Sequence, residues 1–218
     1  MTEAEWLTCT DPAAILRLLD SKKASERKLR LFAAACCRQV WPLFRPKRLC
    51  RAVKVAERYA DRKASASEMA LAAWAVRVRF DPASNAARWV AADQAAEAAS
   101  QTMEWTLVTV AATCNEDHTL HTLRQASVLR CIFGNPFASV AISPAVLTWN
   151  NAIVVRLAQT TYEERYLPEG TLDNGRLAIL ADALEEAGCT NADILNHCRQ
   201  PGEHVRGCWV IDLLLGKE

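Results

Sequence analysis

The chain has 218 residues with 26 Lys+Arg against 25 Asp+Glu, a formal net charge of +1 that excludes a uniformly basic nucleic-acid binder. Hydrophobic residues make up 51%, 38 residues are Ala, and Gly (7) and Pro (8) are scarce. That composition excludes disordered, collagenous and disulfide-scaffold classes and favours helices, so the expected fold is all-α: a multi-helix bundle with a long Ala-rich central helix and a C-terminal helical module.

The opening segment holds Glu3 and Glu5 where a secretory signal needs basic residues. No apolar run reaches the roughly 18 residues of a membrane helix, so a cytoplasmic protein without a membrane partner is expected. Asp11-Pro12 and Asp81-Pro82 each place a capping carboxylate before a proline suited to the first helical turn. Ser25 is a cap for a helix that Pro42 ends, Pro46 opens a basic helix, and Ser65-x-x-Glu68 reads as a capping box. From Trp89, residues Ala92, Ala96, Ala99, Met103, Leu107 and Val110 step by three or four, which predicts one long helix with a small-residue face.

A further helix from about 116 should end at Gly134, where Asn135-Pro136 follows an expected left-handed cap. This break divides the chain into a helical domain over 1–133, with a basic N-terminal third, and a C-terminal module over 134–218. Residues 134–148 read as a Pro-punctuated connector. Helices then resume over about 151–162 and 177–187, Thr190 caps a short helix to Cys198, and 207–215 reads as a final helix or a strand, with helix preferred.

The segment Leu180 to Cys189 (LADALEEAGC), the run His197 to Lys217 containing HCRQPGEHVRGCWV, and the opening MTEAEWL with Arg27 to Arg38 (RKLRLFAAACCR) resemble an uncharacterised family abundant in planctomycete genomes. The resemblance implies a bacterial cytosolic setting. It brings no activity, cofactor or catalytic residue with it.

All four His lie close to Cys in sequence, in two places. Cys189, Cys198, His204 and Cys208 supply the four N/S ligands of a tetrahedral zinc site; the spacing is similar to three-cysteine-one-histidine zinc fingers that bind RNA, with the order of the last two ligands reversed. The other reading is that Cys189 and Cys208 fill the core while His204 caps a turn. Cys114, His118 and His121 have the spacing of one helix face, although Asn115 reads as a cap that would interrupt it. The cofactor expectation is therefore none or one structural zinc. Cys9, Cys36, Cys37, Cys50 and Cys131 read as buried hydrophobes.

Charge is uneven: residues 1–63 hold 15 Lys+Arg and 7 Asp+Glu, the remainder 11 and 18. Lys47, Arg51, Lys54, Arg58 and Arg62 recur every three or four residues after Pro46, a stripe suited to phosphates or to an acidic partner. Trp41 and Trp74 could anchor a protein interface. Phosphate loops, zinc-protease and hydrolase motifs are absent. Adjacent pairs such as Glu163-Glu164 and Glu185-Glu186 point about 100° apart on a helix and do not form a shared acid/base site. The leading expectation is a non-enzymatic protein-interaction or adaptor module that captures another protein or itself. The alternatives are a nucleic-acid-binding module using the basic helix 46–63, and an enzyme with a Cys/His or metal centre.

Overall fold

The helix starts follow from local capping chemistry. Thr2 and Glu5 form a reciprocal capping box that opens α1 (Glu3–Thr8). Asp11 accepts a 2.9 Å hydrogen bond from the Ala13 N–H and starts α2 (Pro12–Ser21). α3 (Glu26–Gln39) follows, though Ser25 makes no side-chain cap bond, and a 3-10 turn over Trp41–Leu43 accommodates Pro42. Next come α4 (Lys47–Ala60), α5 (Ala66–Ala75), opened by the Ser65–Glu68 capping box, and α6 (Pro82–Trp89), opened by Asp81 accepting from the Ser84 N–H. The structure, a computed structural model, describes residues 1–45, 47–76, 81–113 and 118–217. The cap expected at Pro46 lies outside them.

The remaining helices are α7 (Ala95–Thr113), α8 (His118–Phe133), α9 (Pro144–Glu163), α10 (Asn174–Glu186), α11 (Ala192–Arg199) and α12 (Trp209–Leu215). Among the described residues there are twelve α-helices and no strand, an all-α fold. None of these helices is long and apolar enough to cross a membrane. The chain divides into two compact units, Met1–Leu129 and Arg130–Glu218, so the division falls inside α8, ahead of the Gly134 break.

In the first unit α3 packs on α4 and α7, α6 packs on α7, and α5 lies against α4. Small side chains, among them Ala33, Ala34, Ala52, Ala86 and Ala98, let these helices approach closely around Phe44, Leu49, Val53 and Val90. The stripe beginning at Trp89 predicts one continuous helix, but the structure divides it: Trp89 closes α6 and α7 begins at Ala95. A tertiary contact accounts for the interruption. Arg30, buried, donates to the Ala92 carbonyl at 2.6 Å and to the Asp93 carbonyl, taking acceptors at the break between the two helices. The buried face of α7 accordingly runs through Ala95, Ala98, Ala99, Thr102, Met103, Thr106, Thr109 and Val110, while Ala96 is exposed.

In the second unit α9 packs on α10 and α12, and α11 on α10 and α12. Ser143 caps α9, so helix begins at Pro144, within the predicted connector; Asn150, Asn151 and Ala152, all at positive φ, then kink it. Asn tolerates this conformation better than most residues. Asn191, not Thr190, caps α11, its side chain accepting from the Ile194 N–H at 3.1 Å. The segment left between helix and strand is helical, as α12.

Candidate metal centre

Four side chains, from two helices and the loop that leads into α12, meet inside the second unit. Cys131 sits in the last turn of α8, which Gly134 closes in the left-handed conformation (φ +64°) with its N–H bonded to the Arg130 carbonyl at 2.9 Å. His197 lies on α11. His204 lies on the loop before α12, held by the Leu172 N–H donating to its carbonyl at 2.7 Å and by the adjoining Thr171–Val205 bridge. Cys208 precedes α12 as its cap; its carbonyl accepts from the Asp212 N–H, while its thiol makes no capping bond. One ligand atom from each of Cys131, His197, His204 and Cys208 lies within 4.8 Å of all the others, and all four residues are buried.

The ligand spacing suits a tetrahedral ion. His197 Nε2 is 3.2 Å from Cys208 Sγ, and His204 Nδ1 is 3.8 Å from Cys131 Sγ. Zinc bonds of about 2.3 Å to sulfur and about 2.0–2.1 Å to nitrogen place tetrahedral corners about 3.3–3.8 Å apart. The two imidazoles meet edge to face with centroids 4.7 Å apart. Their outward nitrogens are engaged: His204 Nε2 lies 3.4 Å from the Gln200 carbonyl, and His197 Nδ1 lies 3.1 Å from the Gln200 side-chain amide. A carbonyl only accepts, so the His204 Nε2–H donates to Gln200, and Nδ1 is the nitrogen that faces Cys131. Such outer contacts are what orient metal-binding imidazoles. Trp209 packs against His197 at 5.3 Å between centroids.

The electrostatics separate the two thiols. Burial by itself would raise the Cys208 pKa, but the hydrogen bond from Cys131 together with the charge and hydrogen bonds of His197 and His204 outweigh it, holding Cys208 well below the ordinary thiol range. Cys131 is driven well above that range, first by its hydrogen bond to Cys208 and then by burial. His204 is raised: burial opposes its charge, but the Cys208 hydrogen bond and negative charge prevail. The shifts favour a proton on Cys131 and on the His204 imidazole, protons that an arriving metal would displace.

His204 and Cys208 belong to this group, as the spacing proposes; Cys189 and Cys198 do not, although both are buried. Cys198 follows His197 on α11, and successive helical side chains point about 100° apart. With His197 turned to Cys208, Cys198 faces elsewhere, and burial followed by the charges of Cys208 and Cys189 raises its pKa. In the other candidate cluster Cys114 and Asn115 lie outside the described residues; His118 is exposed and His121 buried, and neither joins a group of three ligands among the described residues. On α4 the side chains of Lys47, Arg51, Lys54 and Arg58 are exposed; Arg62 is exposed too, but α4 ends at Ala60 and Arg62 has φ +57°. The signal that could have found Cys131 and His197 is weak: one Cys just before a helix-ending glycine and one His beside a Cys.

No protein-family model, curated protein or solved structure matches the chain. The chemistry of the site is therefore read from its own geometry.

Proposed function

We propose that the protein is a non-enzymatic helical interaction module whose C-terminal unit is built around one structural zinc ion. The observation that carries this reading is the convergence of Cys131, His197, His204 and Cys208, with ligand atoms within 4.8 Å of one another and every residue buried. Two thiols and two imidazoles are the donor set of closed zinc sites, in which four protein ligands leave no corner for water or substrate. The low pKa of Cys208 resembles that of a nucleophile, but a thiol with 0% exposure has no approach for a substrate. Burial of this many polar groups is compensated when an ion joins them.

Elemental mass spectrometry of the untagged protein tests this reading. The expected result is about one zinc per chain, lost in Cys131→Ala and Cys208→Ala and kept in Cys189→Ala. Metal-free protein from zinc-supplied cells would overturn the proposal. Zinc lost in Cys189→Ala but kept in Cys131→Ala would return the ligand set to Cys189, Cys198, His204 and Cys208.

A further inference from the structure

The only acid on α4, Glu57, turns inward: Arg38 Nε meets its Oε1 at 2.6 Å and Arg38 Nη2 its Oε2 at 2.8 Å, and both side chains are buried. The outward face of α4 is left with Lys47, Arg51, Lys54 and Arg58. Among the described residues Lys47 and Arg51 have no ion-pair partner. Arg58 reaches Glu68 of α5 at 3.3 Å, which joins this face to the outer side of α5. One turn beyond Glu68 stands Leu71, 67% exposed, and three residues later Trp74, 69% exposed. An exposed Trp and Leu beside a row of cations form an apolar anchor with a charged rim, the usual make-up of a protein interface.

The second unit presents the opposite pattern on α10. Ile179 is 57% exposed, and Asp182 and Glu186 follow it at three and seven residues on the same side, both exposed. Arg199 pairs with Asp182 at 2.7 Å and with Glu185, and Glu186 has no ion-pair partner among the described residues. α4 and α10 have 14 and 13 residues, so each presents a face about 20 Å long.

We infer that the α4–α5 face binds the α10 face of a second copy of this chain, with Trp74 and Leu71 covering Ile179 and the basic row facing Asp182 and Glu186. The inference rests on reading the chain as an interaction module and names its partner. Charge complementarity selects this occupant: phosphates would engage the cations but leave Leu71 and Trp74 uncovered, whereas the chain itself carries an acidic helix with an apolar centre. Because the two faces differ, each copy offers one to each neighbour, and the contact propagates head to tail.

Sedimentation velocity on the full chain, with zinc content measured on the same sample, tests this. At about 0.02 M salt the average mass should rise with protein concentration, returning toward the 24.1 kDa monomer at about 1 M salt. Lys47→Glu with Arg51→Glu, and separately Asp182→Lys with Glu186→Lys, should each weaken association at least tenfold with far-UV circular dichroism unchanged. An equal mixture of these two variants pairs the intact faces with each other and the two charge-reversed faces with each other, so both contacts are complementary again and association should return. Trp74→Ala should weaken association and leave its salt dependence unchanged. A monomer at every concentration in low salt, or self-association indifferent to both charge reversals, would overturn the inference. So would a monomer that binds a short DNA duplex through Lys47 and Arg51, which would assign the face to nucleic acid. A zinc-loaded monomer sinks this inference alone, whereas zinc-free protein sinks the zinc module whatever its oligomeric state.

Discussion

In Met1–Leu129 the buried charges are each matched to a particular acceptor. Arg38 grips Glu57 through two hydrogen bonds, Arg27 reaches the buried Asp61 at 3.0 Å, and Arg30 is spent on the Ala92 and Asp93 carbonyls. In Arg130–Glu218 two buried Cys and two buried His instead converge on one point, where sulfurs and ring nitrogens lie within hydrogen-bonding reach of one another. The contrast teaches how each region satisfies polar groups withdrawn from water. Pairing completes itself within the chain, whereas convergence of like donors calls for a cation from outside.

Removing zinc should break the comparison most sharply. Structural zinc supplies an apparent 10–16 kcal/mol, on the order of the whole stability of such a unit. Chelation should abolish amide-exchange protection in α10 and α12 and leave α3 and α4 protected; equal retention in both regions would count against the ion. The same site should release zinc on acidification. His204 has a raised pKa and so binds a proton at a higher pH than a free imidazole, and Cys131 holds its proton firmly; both protons compete with the metal. Zinc retention against a fixed chelator should therefore fall as pH drops between about pH 8 and pH 5, and a flat profile would contradict this set of ligands.

Next in size is the buried pair of the first unit. Glu57→Ala strands Arg38 and should lower stability by about 3–5 kcal/mol, with Arg38→Met plus Glu57→Leu recovering much of it. Urea denaturation should place the loss in the first unit, without change in zinc content.

Gly134→Ala tests the junction beside the metal ligands. The position has φ +64°, and an added Cβ would come within 3.0 Å of Trp209 Cγ. Strain of about 1–2 kcal/mol is expected, and zinc affinity should fall as well, because Trp209 packs on His197. Unchanged affinity would show that Trp209 does not help to seat that ligand. The smallest effect is expected at the start of α11: Asn191→Ala should cost about 1 kcal/mol, while Thr190→Ala stays within about 0.5 kcal/mol. A reversal of the two would mean that the cap is Thr190 after all.

The metal ligands show how unevenly a site can be read in advance. His204 and Cys208 lie four residues apart in a loop that holds Pro201, Gly202 and Gly207, so their spacing already marks them. Cys131 lies 73 residues from His204, and no local pattern connects them. The Gly134 break, taken as a boundary, assigns Cys131 to the preceding helical region, but the unit division falls before Arg130 and gives the end of α8 to the second unit. His197 and Cys198 are adjacent, so only the rotation of α11 about its axis decides which one enters the site.

By itself the sequence determined the helical class and many helix ends, because caps at Asp11, Ser65 and Asp81 and the glycine stop at Gly134 act within one turn of backbone. It also determined the amphipathic basic row of α4, since charge repeats on a helix depend on spacing alone. Only the tertiary structure decided where α6 and α7 separate, because the acceptors there are taken by Arg30 from α3. It likewise decided that the sulfur of α8 belongs with the imidazoles of α11 and its following loop. Convergence of groups distant along the chain is a property of packing, and packing is set by all the side chains together.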